Sequence, residues 1–388
     1  MKNKTITILS VLFALNGQLL FAQQSYSERL NPIRYMVPFL TIAPDSRAGG
    51  MGDVGIATSP DVFSSHWNAA KFAFINNNSG VGISYVPWLR NLVPDMNIAL
   101  LTGFTRIDEK QVISSRLLYS SLGDIQFYDI SGNYERSFTP HEFAIDAAYT
   151  RLFSEKISGA VAFRFIYSNL SGGTYSRGEA TKAGISYAAD ISGFWHNDIS
   201  IMSKNANIAV GVAFSNIGSK MSYTDSKSVS DFIPMNLGIG SALKVDIDDY
   251  NSITLALDLN KLLVPTPPVT SLSKADSIVA GKSTNVSVPV AIFQSFYDAP
   301  GGFKEEMHEI TYSTGVEYWY NNIFALRGGY FHQHETKGNS RYFTLGAGFK
   351  LNAFALDFSY LLPVVQNHPL ARTLRFSLSF DVGYRSRT

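Results

Sequence analysis

Large apolar side chains recur at every second position over most of the chain from residue 79 onward. In the stretch "SITLALDLN", Ile253, Leu255 and Leu257 fall on one face, and small or polar residues fall on the other. An alternation of 180° per residue is typical of a half-buried β-strand. The pattern predicts strands at residues 79–88, 95–107, 111–122, 142–153, 156–168, 182–195, 206–217, 232–245, 251–262, 307–319, 322–334, 341–351, 353–362 and 371–382.

These strands are too long for an ordinary soluble sandwich, which would also alternate. They run to about 10–13 residues, whereas soluble strands usually have about 5–6 and tilted membrane strands about 9–11. Their polar face consists mainly of Gly, Ala, Ser, Thr and Asn, with isolated charges that we expect to pair inside a barrel. We therefore expect an all-β fold over residues 79–388, a transmembrane antiparallel β-barrel of about 14 strands. The isolated charges are Asp146, Arg164, Asp190, Asp258, Glu317, Arg327, Asp357 and Arg375.

The predicted connections alternate in length along the chain. Those after strands 2, 4, 8, 10 and 12 are short, whereas those after odd-numbered strands are mostly longer, and the longest spans residues 263–306. The connection after strand 6, "HNDISIMSKN", is predicted to be longer than the other even-numbered ones. Outer-membrane barrels have short periplasmic turns and longer outer loops. The alternation therefore predicts that the short turns and both termini face the periplasm.

The first residues of the chain have the pattern of a secretory signal peptide. Lys2 and Lys4 precede a largely apolar run, and Ala22 offers a small residue for cleavage. The alternative is a short N-terminal anchor. No later segment has the roughly 18 consecutive apolar residues of a membrane-spanning helix. We therefore expect residues 1–22 to be removed on export, and the rest to reach the lipid bilayer of the cell outer membrane.

Composition narrows the possible chemistry. Charged residues make up 16% of the chain and the formal net charge is +1, so there is no field that favours nucleic acid. The absence of cysteine excludes disulfides and thiolate metal ligands. His332, His334 and Glu335 leave a metal site open, although isolated surface histidines are commoner. No G-x-S-x-G motif is present, so we expect no enzyme and no cofactor.

Residues 23–78 precede the barrel and are rich in glycine. The run Gly50–Gly55 fits the dinucleotide pattern G-x-G-x-x-G, which needs a preceding strand and an acidic residue about 20 positions later. Turn residues precede it instead, and positions 74–76 carry no acid. Since 14 strands enclose more space than wall side chains fill, we expect a hatch that plugs the lumen, with a short helix capped by Ser59. The alternative is an ordered lead-in to strand 1. The predicted hatch residues are Arg47, Gly50, Gly52, Gly55, Asp61 and Asn68.

The run "DSRAGGMGDVGIATSPDVFSSHWNAAKFAF", followed by the strand pattern, resembles the FadL-type outer-membrane proteins. Those proteins open with a similar glycine-rich hatch, with Asn-Pro-Ala where this chain has Asn68-Ala69-Ala70. Within that group, "FQSFYDAPGGFKEEMHEI" at residues 293–310 is similar to the PorV-like (LptO-like) members of the type IX secretion system. The resemblance covers essentially the whole mature chain.

This resemblance implies a non-enzymatic role in protein secretion. Such barrels bind cargo proteins through C-terminal secretion signal domains, associate with the SprA or Sov translocon barrel, and carry cargo to the PorU and PorZ attachment proteins. The alternative on the same fold is a FadL-like channel for uptake of fatty acids or other hydrophobic small molecules. Such a channel needs an apolar lumen, whereas the predicted lumen face is mostly small and polar.

The connection 263–306 is the candidate for partner contact. Loops longer than about 12–15 residues are uncommon unless they are functional or disordered. Its second half is apolar and aromatic, and burying one such side chain is worth about 1.5–3 kcal/mol. It therefore either packs on itself as a cap over the barrel or contacts cargo or the translocon. The predicted contact residues are Val290, Ile292, Phe293, Phe296, Tyr297, Asp298, Pro300 and Phe303.

Overall fold

The computed structural model of the protein describes residues 30–90, 93, 95–129, 131–173, 175–176, 179–225, 230–271, 277–364 and 369–384. The predicted signal peptide, residues 1–22, lies outside these residues. Among the described residues, no helix is long and apolar enough to cross a membrane.

Fourteen antiparallel strands form one closed barrel, as the alternation predicted. Each strand pairs with the next along the chain, and the last pairs with the first, from Asn77 opposite Tyr384 to Tyr85 opposite Phe376. The strands are β1 Asn77–Pro87, β2 Met96–Arg106, β3 Gln111–Leu122, β4 His141–Ser154, β5 Ile157–Asn169, β6 Gly184–Ile201, β7 Lys204–Gly218, β8 Asn236–Asp246, β9 Asn251–Leu262, β10 Ile310–Tyr320, β11 Phe324–His332, β12 Arg341–Leu351, β13 Phe354–Pro363 and β14 Leu374–Tyr384.

The period of two sorts side chains between the two faces of the wall. In β9, Leu255 and Leu257 point outward and are exposed, whereas Thr254 and Asp258 are buried on the lumen side. Outward apolar residues suit a lipid environment, and the lumen keeps the polar ones. Most of the isolated lumen charges are paired, for example Asp146 with both Arg116 and Arg164, whereas Asp258 accepts backbone N–H groups instead.

The connections separate the barrel into a short-turn end and a long-loop end. At the short-turn end the connections are 107–110, 155–156, 202–203, 247–250, 321–323 and 352–353. At the long-loop end they are 88–95, 123–140, 170–183, 219–235, 263–309, 333–340 and 364–373. The predicted alternation therefore holds at every strand pair, and connection 263–309 is the longest.

The predicted longer connection after strand 6 is wrong. β6 continues to Ile201 and the chain turns at Met202 and Ser203, which both have positive φ. The pairing of Ser200 with Asn205 extends this hairpin past β5, which pairs with β6 only as far as Ile157 opposite Trp195.

Three strands begin at least three residues later than predicted, among them the last, which begins at Leu374. The strand expected over 232–245 begins at Asn236, since Pro234 has no N–H to donate to a ladder. The strand expected over 307–319 begins at Ile310 because a helix occupies Phe303–His308.

The segment before the barrel folds against the inner face of the wall. It contains 3-10 helices at Pro38–Thr41 and Ala69–Phe74 and two short α-helices, α1 Ser46–Gly49 and α2 Ser64–Trp67. The helix predicted to be capped by Ser59 is wrong. The helix begins at Ser64, and the Ser59 hydroxyl lies 2.6 Å from Arg47 Nη2 instead.

The first described residues lie at the long-loop end. The backbone N–H of Asn31 donates to Thr336 O at 2.8 Å, and that of Met36 donates to Phe232 O at 2.8 Å. Both acceptors belong to long-loop connections, whereas β14 ends at the short-turn end beside Asn77. Residues 30–76 therefore run through the lumen from the long-loop end to the short-turn end. The termini themselves, which were expected at the short-turn end, lie outside the described residues.

Candidate functional site

Arg47 joins the segment before the barrel to the wall. Its guanidinium donates twice to Glu317 of β10, from Nε at 3.0 Å and from Nη2 at 2.8 Å. It also bonds Asp61 at 2.8 Å, within its own segment. Glu317 accepts a further bond from Arg327 Nε at 2.7 Å, and Arg327 donates to Asp357 at 2.6 Å. A buried guanidinium held by two carboxylates is strongly fixed in place.

The glycines of the nucleotide-like pattern bring two backbones together. Gly52 has φ +71°, and its N–H donates to Thr344 Oγ1 at 2.8 Å. A Cβ at Gly52 would lie 2.6 Å from Tyr330 N, and one at Gly50 would lie 3.0 Å from the Cα of Gly346. Only residues without side chains allow this approach.

The remaining predicted hatch residues fix the turn that follows. Asp258 of β9 accepts the backbone N–H of Gly55 at 2.7 Å and of Ile56 at 2.9 Å. The Asn68 amide donates to Ile56 O at 3.1 Å and to Gly193 O of β6 at 3.0 Å. Lys71 donates to Gly55 O at 2.7 Å, and burial lowers the pKa of Lys71 to about 8. The pattern Gly50–Gly55 thus faces carboxylate, hydroxyl and backbone groups of the barrel.

Gly52→Ala is expected to push this segment off the wall, since the new Cβ meets backbone atoms that cannot rotate away. Gly132→Ala is the matched control, because Gly132 also has positive φ, at +84°, but has nothing within 4 Å of an added Cβ. Both variants lose roughly 1–2 kcal/mol to the left-handed backbone. The overpacking adds about 1–3 kcal/mol only in Gly52→Ala. Urea unfolding and permeability of the reconstituted barrel to a small dye measure the difference; equal behaviour of the two variants would contradict it.

At the long-loop end, connection 263–309 carries two helices, α3 Val288–Gln294 and α4 Phe303–His308. Five of the predicted contact residues are exposed, led by Phe303 at 76% and Phe293 at 71%. Ile292 packs against the core, Asp298 is buried and Pro300 is half-buried, so these three do not form the outer surface. We call the exposed set the aromatic patch: Val290, Phe293, Phe296, Tyr297 and Phe303, with Met307, which the sequence analysis did not single out.

A buried ionic cluster holds the patch in position. Lys261 of β9 donates to Glu306 at 3.0 Å and to Glu309 at 2.8 Å. Lys337, from connection 333–340, donates to Glu305 at 2.6 Å and to Glu309 at 2.9 Å.

The carboxylates of this cluster also accept backbone N–H groups. Glu306 accepts Ala299 N at 2.8 Å, and Glu305 accepts Gly301 N at 2.7 Å. Asn31 donates to Glu305 at 3.1 Å, so the first described residues join the same cluster. The acidic residues of "DAPGGFKEE" therefore fix the shape of the turn, and Phe303, which lies between them, remains exposed.

Lys261, Lys337, Glu309 and Asn31 were missed by sequence reasoning. They come from four separate parts of the chain, and three of them carry no motif. The one available signal was Lys261, a charge on the outward-facing register of β9 beside three leucines, which is unusual for a lipid-facing position.

The histidines of the possible metal site at His332, His334 and Glu335 stack on other rings. His334 stacks on His308 of α4, with ring centroids 3.5 Å apart, and His332 stacks on Tyr312 at 4.4 Å. Burial lowers the pKa of both His308 and His334, and the charges of Lys304 and Lys337 lower both further. His334 also lowers the pKa of His308. Among the described residues, no group of three or more His, Cys, Asp or Glu side chains is arranged to hold a metal ion.

The sequence model of the type IX secretion system protein PorV matches residues 24–269, more than half of the 388 residues. The chain belongs to the PorV family. The match covers the segment before the barrel and β1 to β9, and it ends inside the long connection, ahead of the aromatic patch. No curated protein matches the chain.

Solved structures with similar folds include membrane channels of low sequence identity. The Pseudomonas putida toluene transporter TodX is 9% identical with a TM-score of 0.48, over 92% of this chain and 100% of that one. The CymD monoaromatic hydrocarbon channel is 11% identical with a TM-score of 0.48, over 91% and 100%. A Pseudomonas aeruginosa FadL homologue is 10% identical with a TM-score of 0.43, over 89% and 99%. What this PorV-family barrel does must therefore be argued from its own residues.

Asp298 makes the stability of connection 263–309 dependent on pH. Burial raises the pKa of Asp298 to about 7, and the neighbouring Glu306 and Glu309 charges add to this. Between about pH 4, where the unfolded chain releases this proton, and about pH 7, the folded loop binds more protons. The Asp298 contribution to loop stability is therefore full at low pH and is lost as pH rises through 7. The lowered pKa values of His308 and His334 act in the opposite direction below about pH 6.5.

Asp298→Asn is expected to remove the first effect, because the amide stays neutral at every pH. Limited proteolysis of connection 263–309 in nanodiscs, from pH 5 to 8, measures local opening. Wild type should become easier to cleave as pH rises from 5 to about 7 relative to Asp298→Asn, with no further change up to pH 8. Parallel curves for the two proteins would show that Asp298 does not titrate in this range.

Proposed function

We propose that this chain is a non-enzymatic outer-membrane component of type IX secretion whose aromatic patch contacts partner proteins. In this proposal the long-loop end faces outward and the short-turn end faces the periplasm. The partners are those implied for PorV-like barrels: the SprA or Sov translocon, cargo with C-terminal signal domains, and the PorU and PorZ attachment proteins.

The observation that carries the proposal is the aromatic patch. Its members are six large apolar side chains exposed on one connection, and exposed apolar patches mark interaction sites. The alternative of a self-packed cap is less favoured, because Phe293 and Phe303 are the most exposed of the patch residues rather than folded onto the barrel. The ionic cluster beneath keeps the loop ordered before a partner binds, which lowers the entropic cost of association.

We further propose that residues 37–76 act as the hatch. Arg47, Gly52, Gly55 and Asn68 each bond or closely approach the inner wall, and their side chains or backbones occupy the lumen. A closed lumen is compatible with a docking role, because a protein that only binds partners does not need to pass anything through its barrel.

A second candidate function rests on a cavity between this segment and the long loops. It measures about 320 Å³, and its lining combines aromatic residues such as Trp67, Trp88 and Phe331 with polar ones such as Asn216 and Arg375. A space of that size can hold one small hydrophobic molecule, as the FadL-like alternative would require. Thermal stabilisation of the purified barrel by fatty acids or monoaromatic compounds would favour it.

The proposal is tested by purifying a tagged chain from cells in mild detergent and identifying what co-elutes. Translocon or cargo in the eluate supports it. An eluate with no secretion component, from cells that secrete normally, would remove it.

A further inference from the structure

The described residues of connection 263–309 have a net negative charge, but the charged side chains that they expose are positive. The described part contains four acids, Asp298, Glu305, Glu306 and Glu309, and two lysines, Lys282 and Lys304. All four acids are buried, whereas both lysines are exposed. The described residues of this connection contain two more acids than lysines, yet the charged side chains that they expose are lysines.

The acids are held inside by specific bonds and do not become exposed by side-chain rotation. Glu306 and Glu309 meet Lys261, while Glu305 meets Lys337. Asp298 accepts Thr266 N at 3.2 Å and the Gln294 amide at 3.3 Å. Moving any of them outward would break several charge-assisted bonds at once.

The two lysines lie beside the aromatic patch. Lys282 Nζ lies 3.7 Å from the ring centroid of Tyr297, a cation–π contact. Lys304 follows Phe303 directly in α4 and is exposed next to the most exposed aromatic ring. Glu335 is an exposed acid of the adjacent connection 333–340, beyond His334, which stacks on His308 at the far end of α4. The patch is thus an apolar centre with a cationic edge.

We propose that the aromatic patch fits a protein surface with an apolar centre and carboxylates around it. This rests on the proposed function and specifies the chemistry of its partner. Complementary charge at the rim of an interface mainly raises the association rate and selects the partner, whereas aromatic anchors at the centre supply affinity. The two contributions are therefore separable by salt, since screening acts on rim charges.

The test measures association of the purified chain with the purified SprA-type translocon barrel at 50 mM and 500 mM salt. The double variant K282E/K304E is expected to associate at least tenfold more slowly than wild type at 50 mM, with little difference at 500 mM. K282Q/K304Q should fall between them. The matched control is Lys182→Glu, an exposed lysine of connection 170–183 whose ion pair with Asp225 is itself exposed; it should leave the rate unchanged.

The outcomes separate this inference from the proposed function. Wild type that binds with the same rate and salt dependence as K282E/K304E overturns the inference and leaves the proposed function standing. Wild type that does not bind at either salt overturns both. If K282E/K304E instead loses binding to lipopolysaccharide vesicles while keeping the translocon rate, the lysines serve lipid phosphates, and the inference is wrong.

Discussion

Glu317→Ala is expected to release the segment before the barrel and open the lumen. The carboxylate binds Arg47 through two bonds and Arg327 through a third, all buried. Removing one partner of a buried ion pair typically costs about 3–5 kcal/mol. We expect about 3 kcal/mol, because Arg47 keeps Asp61 and Arg327 keeps Asp357. The midpoint of urea unfolding and the permeability of proteoliposomes to a small dye measure the two consequences.

The control for Glu317→Ala is Glu155→Ala, which removes an exposed carboxylate from a short turn. It should change neither property, since exposed charges contribute little. Glu317→Gln should fall between the two, because an amide oxygen can still accept one bond. Unchanged permeability in Glu317→Ala together with a lowered urea midpoint would show that Glu317 stabilises the wall but does not hold a hatch.

Replacing Phe293 and Phe303 together by serine is expected to abolish capture of the partner while the barrel folds normally. Aromatic anchors at interface centres commonly contribute 2 kcal/mol or more each, roughly thirtyfold in affinity. Both rings are exposed in the free chain, so their loss leaves no cavity in the core. Pull-down of the translocon and heat-modifiable migration on gels measure binding and folding separately.

The control is Tyr128→Ser with Tyr134→Ser, two exposed aromatics of connection 123–140 at the same end of the barrel. They contact each other, with ring centroids 6.1 Å apart, and belong to a separate hairpin. Their loss should leave capture intact. An equal loss of capture in both double variants would indicate that any exposed aromatic residue at this end can bind the partner, and that the aromatic patch has no special role.

The barrel was predictable because successive wall residues face lipid and lumen in turn, and this produces an alternation of apolar and polar residues that is visible in the sequence. The same logic explains the error at β6. Residues 196–201 extend past β5, and their sequence "HNDISI" carries fewer large apolar side chains than the rest of the strand, so the alternation stops before the strand does. Two further strands begin late because of Pro234 and because of helix α4. The alternation of apolar and polar residues does not reveal either cause.

The candidate site was only partly predictable. The aromatic character of residues 290–303 is evident in the sequence, but the inward turn of Asp298, Glu305 and Glu306 is not. The burial of Glu305 and Glu306 depends on Lys337 and Lys261, which lie far away in the sequence and meet the cluster only in the folded barrel. The position of Asn31 depends in the same way on a path through the lumen. Contacts of such long sequence separation leave no trace in composition or spacing.

The central claim, that the aromatic patch contacts secretion partners, is tested most directly by photo-crosslinking in intact cells. A photoreactive phenylalanine replaces Phe293 in one strain and the outward-facing wall residue Phe163 in another. The account predicts that position 293 crosslinks to the translocon barrel or to cargo, and that position 163 does not. Crosslinks from position 293 to lipid alone, or the same protein crosslinks from both positions, would contradict it.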